Sequence, residues 1–269
     1  MRKMLFMAVL LAFSLGHTSL SWAQAASDQP LQEVFQTELV YPQEKGAFQL
    51  TSSFTLNPAS RELSNDLTIE YGLTRSWQVD LQWQSFARRK TDDGLISRGS
   101  GDLRLGAKYS FMRMRGSNFH SAIGFELGVP AAGASKGISE SKIEYEPYVV
   151  VARDFPGWSR LQLFSQLGLT FSHSLVRSTD DQNNPNKKTI EWNSGMFVPY
   201  HRARFTSEIS WSKDPTESTL YLTPGLVWKL PHEVEVGVGT PVGISRGAER
   251  FKLMVHLVYE FGGDREERN

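Results

Sequence analysis

The stretch GSGDLRLGAKYSF, Gly99 to Phe111, decides the fold. Its glycines and lysine invite comparison with a phosphate loop, and the spacing excludes one. A P-loop places Lys and Ser/Thr directly after its last glycine, whereas Gly106 is followed by Ala107, Lys108 and Tyr109. A dinucleotide fingerprint needs three glycines at G-x-G-x-x-G after an apolar strand. Here the loop-like TDDGLISR precedes, and Gly101 leads into Asp102, Leu103 and Arg104. What remains is alternation. Leu103, Leu105, Ala107, Tyr109 and Phe111 fall on one side; Asp102, Arg104, Gly106, Lys108 and Ser110 fall on the other. Period two marks a strand with a different environment on each face.

The same alternation recurs along the chain. AFQLTSSFTL aligns Phe48, Leu50, Phe54 and Leu56; DLTIEYGL aligns Leu67, Ile69, Tyr71 and Leu73; SWQVDLQWQ aligns Trp77, Val79, Leu81 and Trp83. FHSAIGFELGV follows, then KIEYEPYVVV, RLQLFSQLGLTF, TIEWNSGMFV, ARFTSEISW, TLYLTPGLVW, EVEVGVGT and RFKLMVHLVYEF, which makes twelve expected strands. The links alternate in length. LTRS, MRMRGSN, RDFPGWSR, PYHRA and KLPHE are short; LNPASRELSN, RRKTDDGLISRGS, PAAGASKGISES, HSLVRSTDDQNNPNKK, SKDPTES and PVGISRGAE form the long set. Alternating short and long links on an even number of strands predict an all-β, up-and-down antiparallel transmembrane barrel of about 12 strands, with both chain ends on the short-turn, periplasmic side. Pro147 and Pro224 fall inside expected strands, and a missing N–H places them at bulges or strand ends.

A soluble β-sandwich would also give short alternating strands. Three features favour the membrane. The expected strands mostly reach about ten residues, as tilted spanning strands need. Aromatics cluster near strand ends on the apolar face: Trp77, Trp83, Tyr109, Phe111, Trp192, Trp211, Trp228, Tyr259 and Phe261. Charges occupy the opposite face of almost every strand, as a wet lumen allows.

The N-terminus adds a compartment. Arg2 and Lys3, an apolar core from Met4 to Leu15 and the small-x-small Ala23-Gln24-Ala25 read as a signal peptide over residues 1–25. Residues 26–44 then form a periplasmic lead. Leu31, Val34, Phe35 and Leu39 sit at roughly helical spacing there, so the lead is expected to be loosely ordered with a turn or two of helix; a plug is the other reading. The barrel runs over 45–261 and a charged tail over 262–269. The chain has no cysteine, which removes disulfide and thiolate chemistry. Loss of Arg2 and Lys3 leaves the mature chain slightly acidic, giving no reason to expect nucleic acid as a partner. The expected partners are outer-membrane lipid, the barrel-assembly machinery and a small hydrophobic solute, and no cofactor is expected.

YGLTRSWQVDLQWQ, GSGDLRLGAKYSF and GVGTPVGISRGAERFKLMVHLVYEF resemble the outer-membrane proteins grouped as the "MetA-pathway of phenol degradation" or transporter family. The resemblance covers about Leu67 to Phe261 and ends on the aromatic-acidic-aromatic triplet Tyr259-Glu260-Phe261. It implies an outer-membrane barrel that admits small hydrophobic or aromatic compounds, with no catalytic residues to carry over. Here Gly262, Gly263 and a charged tail follow the triplet, where the family often stops.

Enzymatic chemistry finds little footing. A lipid esterase needs Ser and His within hydrogen-bond reach. His173 is flanked by Ser172 and Ser174, and His120 by Ser121, yet neighbours on a strand point to opposite faces. Asp180-Asp181 with Gln182, Asn183 and Asn184 lacks the glycine turn and spaced acids of a Ca²⁺ loop. The informative residues are the expected lumen lining: Asp66, Glu70, Asp80, Asp102, Arg104, Lys108, Glu126, Glu144, Glu146, Glu191, Arg204, Glu208, Lys229, Glu235, Lys252 and Glu260. Acids outnumber bases in that set. Either the charges pair across a narrow lumen and fill it, or they line a cation-preferring pathway. Inward glycines at 106, 124, 128, 168, 195, 225, 237 and 239 leave space for a solute or for long neighbours. The reading is a passive conduit for small hydrophobic or aromatic molecules, not an enzyme. A closed barrel with a structural or surface-interaction role is the alternative, and an outer-membrane lipid esterase the third.

Overall fold

The computed structural model describes residues 34–90, 94–131, 138–139, 141–158, 160–175 and 186–263. Fourteen strands lie within them. They are β1 (Ala47–Asn57), β2 (Glu62–Gly72), β3 (Trp77–Lys90), β4 (Ile96–Gly99), β5 (Leu103–Phe111), β6 (Phe119–Val129) and β7 (Lys142–Phe155). β8 (Leu161–Ser174), β9 (Asn186–Tyr200), β10 (Ala203–Lys213), β11 (Ser218–Leu230), β12 (Val234–Gly239), β13 (Val242–Gly243) and β14 (Leu253–Gly262) complete the set. Each wall strand pairs antiparallel with its neighbours, and β14 pairs β1, which closes a twelve-stranded barrel. β4 folds back on β3, and β13 extends the wall beside β11. A closed ring has no free sheet edge, so every ladder is satisfied inside the chain, as a wall in hydrocarbon requires.

Alternation separates the two faces. Leu81, Leu105, Ile123, Phe125, Leu167 and Leu257 are exposed on the outside, whereas Gln78, Lys108, Gln166, Glu208 and Thr223 on the same strands, or on neighbouring ones, are buried inside. At the end where β1 begins and β14 finishes, the outer face carries an aromatic band. Phe48 packs on Tyr71 at 4.4 Å and on Phe261 at 5.5 Å; Trp77 packs on Tyr109 at 5.0 Å, and Tyr109 on Phe111 at 4.7 Å. Such belts mark a membrane–water boundary.

Several expectations are corrected. LNPASRELSN is mostly strand, so only residues 58–61 link β1 to β2, with Arg61 at φ 58°. The β10–β11 link is equally short, residues 214–217. RRKTDDGLISRGS holds the end of β3 and all of β4. Pro147 and Pro224 are neither bulges nor strand ends: the β7–β8 and β11–β12/β13 registers resume unchanged past each, with only local rungs missing. The bulge falls instead at Asn65/Asp66, where the Ser85 hydroxyl donates to the Asn65 carbonyl. β3, β7, β8 and β9 run 14 or 15 residues, longer than a membrane crossing needs. Asp180–Asn184 lie outside the described residues.

The largest difference concerns the lead. Residues 34–44 contain no helix and do not lie outside the barrel. They form an irregular strap inside the lumen, with Val34, Phe35, Thr37, Leu39, Val40, Tyr41 and Gln43 buried. The physical reason is space. Eight strands leave an interior that side chains just fill, and twelve leave more. The strap's apolar residues occupy that volume.

Candidate functional site

The candidate site is the lumen and the strap that occupies it. An irregular segment cannot satisfy its own backbone, so its N–H and C=O groups need partners. Wall side chains supply them. Glu208, in the middle of β10 and 0 % exposed, accepts hydrogen bonds from the Phe35 N–H at 3.0 Å, the Gln36 N–H at 3.1 Å and the Thr37 hydroxyl at 2.8 Å. Gln166 Oε1 accepts from the Glu38 N–H at 2.9 Å, and Asn193 Nδ2 donates to the Gln36 carbonyl at 2.9 Å. Lys108 Nζ donates to Glu38 Oε2 at 2.7 Å and to the Leu39 carbonyl at 3.0 Å. A buried ammonium needs both a counter-charge and hydrogen bonds, and the strap provides both. Nearer the start of β1, the Tyr41 hydroxyl donates to Asp154 at 3.1 Å, and Gln43 joins Gln78, Gln49 and Glu70 in a buried network.

The inward glycines are occupied as well. Gly225, Gly237 and Gly239 form the seat of the Phe35 ring; a Cβ on Gly239 would lie 2.6 Å from Phe35 Cγ, and one on Gly225 would overlap the ring. His256 on β14 closes the seat, ring centroids 5.0 Å apart. Gly106 accommodates Asp80, Gly124 the Tyr148 ring and Gly195 the Phe164 ring. Gly225→Ala is therefore expected to unseat Phe35 without breaking the wall. The check is limited proteolysis of the purified variant, with faster cleavage near residue 35 and unchanged mobility of the unboiled barrel on a gel.

Beyond the strap, toward the end opposite the start of β1, a cavity of about 500 Å³ opens. Phe35 to Glu38 form part of its lining; Arg104, Glu126, Glu144, Glu146, Glu191, Lys142 and Lys187 contribute the other charges. Arg104 lies 3.6 Å from Glu126, 3.1 Å from Glu144 and 4.0 Å from Glu146. Gly128 stands between Arg104 and Glu144 in the register and leaves room for them to meet. Acids outnumber bases in this vestibule.

The remaining expected lining residues are dispersed. Arg204 pairs with Glu235 at 3.0 Å near the end of β14, where Lys229 meets Glu233 at 3.4 Å and Glu235 at 4.0 Å. Glu260 lies in that region, opposite Gln49 of β1, and its N–H bonds the Glu233 carbonyl at 3.1 Å. Asp66 hydrogen-bonds Gln84. Asp102 precedes β5 and its carbonyl receives the Gln84 N–H at 3.1 Å. Lys252 lies outside the strands, 2.6 Å from Glu249 and over the Tyr221 ring. Asp80 and Glu126 were expected in the same charged lining as Arg104 and Lys108. Glu126 does reach Arg104, but the closest carboxylate to Lys108 is Glu38 of the strap. Gln78, Gln166, Asn193 and Thr223 were missed because neutral polar residues carry no distinctive spacing.

His120 and Ser172 are engaged elsewhere. His120 Nδ1 accepts the Arg113 N–H at 3.1 Å and Nε2 meets Asp154 at 3.1 Å. Ser172 donates to Glu144 at 3.1 Å on the inner face.

No family model and no curated protein matches the chain. Solved structures do. A KdgM porin is 13 % identical with a TM-score of 0.55, over 79 % of this chain and 99 % of that one. A NanC porin is 8 % identical with a TM-score of 0.55, over 81 % and 100 %. The COG4313 outer membrane channel from Pseudomonas putida F1 is 12 % identical with a TM-score of 0.59, over 85 % and 100 %. At these identities the similarity is one of fold. The chain has the architecture of twelve-stranded outer-membrane barrels, and the resemblance to the phenol-degradation family rests on sequence motifs alone.

Proposed function

We propose that the protein is an outer-membrane channel of low conductance, narrowed by its own N-terminal strap and selective for small cationic or polar solutes. The end where β1 begins and β14 finishes, whose links are the shorter set taken together, faces the periplasm, and the vestibule faces outward. The observation that carries this reading is the acid-rich vestibule standing directly over the strap. Its lining favours hydrated, positively charged solutes over the hydrophobic or aromatic cargo that the family resemblance implies, because charged rings set pore selectivity. Similarity to porins and channels supports transport over catalysis.

The buried strap also favours a second reading, a closed barrel with a structural role. Reversal potentials in planar bilayers under a steep KCl gradient separate the two. The native protein is expected to pass small, cation-selective currents, and Glu144→Gln with Glu146→Gln to weaken that preference. Anion preference would overturn the cation selectivity, and silence of the native protein and of a variant lacking the strap would favour the structural reading.

A further inference from the structure

We infer that the β3–β4 hairpin carries a docking surface for the phosphate groups of an outer-leaflet glycolipid. The inference rests on the outer-membrane placement above. After the bulge at Ser85, Ala87 is buried inside, while Phe86, Arg88 and Lys90 alternate onto the outer face. β4 sets Arg98 directly opposite Arg88, and Ile96 opposite Lys90. Leu63 of β2 flanks Arg88 on the other side. Three cations thus share one outward patch with apolar neighbours, at the barrel end remote from the start of β1.

Like charges directly opposite each other in an antiparallel pair destabilise it. Here nothing among the described residues offsets the repulsion. No carboxylate of a described residue lies within 4.0 Å of Arg88, Lys90 or Arg98, and Arg88 Nε is shielded from water without a hydrogen-bond partner. Arg89, on the inner face, is different: its Nε lies 3.7 Å from Glu62. An anion held between Arg88 and Arg98 would remove the repulsion and fill the vacant donor, and guanidinium forks suit phosphate oxygens. Phe86, 37 % exposed and two residues nearer the bilayer along β3 than Arg88, extends the surface toward the acyl region, with Leu63 beside Arg88. A phosphate carried on a lipid therefore fits better than a free one.

The test uses the full-length protein in detergent with bisphosphorylated lipid A, the same lipid after removal of its phosphates, and inorganic phosphate, with binding read by native mass spectrometry. The phosphorylated lipid is expected to bind and the other two to bind far more weakly. Arg88→Gln with Arg98→Gln is expected to lose at least about tenfold in affinity, the scale of charge-assisted hydrogen bonds to phosphate, while Arg89→Gln keeps native affinity. Mobility of the unboiled barrel shows that each variant is folded; if the double variant is not, the two lipids compared on the native protein decide alone. Equal binding of the dephosphorylated lipid, native affinity in the folded double variant, or full competition by inorganic phosphate at equal concentration overturns the inference. Bilayer conductance, recorded on the same preparations, reports on the channel separately.

Discussion

Deletion of residues 34–43 is expected to raise single-channel conductance several-fold while the barrel stays folded. The wall's ladders run strand to strand around the ring without the strap. The strap is held by side chains, chiefly Glu208, Gln166, Asn193 and Lys108. Its removal returns Glu208 and Lys108 to water, where their charges no longer need protein partners. A twelve-stranded lumen freed of ten buried or half-buried residues is wide enough to conduct, because interior width grows with strand number. Bilayer recordings check the current, and the unboiled-gel shift checks the fold. A folded variant with native conductance would show that the constriction lies in the wall and not in the strap.

Leu105→Arg is expected to block most assembly into membranes. Leu105, third residue of β5, lies between Leu81 and Leu127 and is 50 % exposed on the outer face. An arginine facing lipid near the midplane costs about 2–4 kcal/mol, a large share of a typical stability of about 5–15 kcal/mol. Arg104→Leu, one residue away, places an apolar group in the vestibule and is expected to leave assembly largely intact. It strands Glu126, Glu144 and Glu146 without their shared cation, an effect visible in selectivity. The folded fraction of each, from heat-dependent gel mobility in membrane extracts, makes the comparison. Equal loss in both would mean that β5 does not divide lipid from lumen.

The wall was legible in the sequence because each strand carries its own period of two. All twelve expected strands recur, and the charged side of GSGDLRLGAKYSF does turn inward at Arg104 and Lys108. Boundaries were less legible. Residues such as Glu62 and Arg88 to Lys90 read as loop by composition, yet cross-strand pairing extends the strands through them. The strap was the least legible part. Val34, Phe35 and Leu39 advertise burial, but their spacing suggests a helix, and no local rule encodes partners more than a hundred residues away. Glu208 meets Phe35 across 173 positions. The glycines at 225, 237 and 239 were read as inward space, and what fills them is decided by the tertiary fold alone.

The seat of Phe35 has a consequence for biogenesis. Its parts come from β11, β12 and β14, and its neighbouring latch, Glu208, from β10. The segment translated before β1 therefore has no complete receptor until the last strands are in place, and closing so long a span of chain is intrinsically slow. Early in insertion the N-terminal segment is an untethered leader. It gains its binding site as β14 meets β1 and the hoop is fastened. Filling of the lumen is thus a late event that reports completion of the wall, and a barrel stalled short of its final strand lacks the means to fill itself.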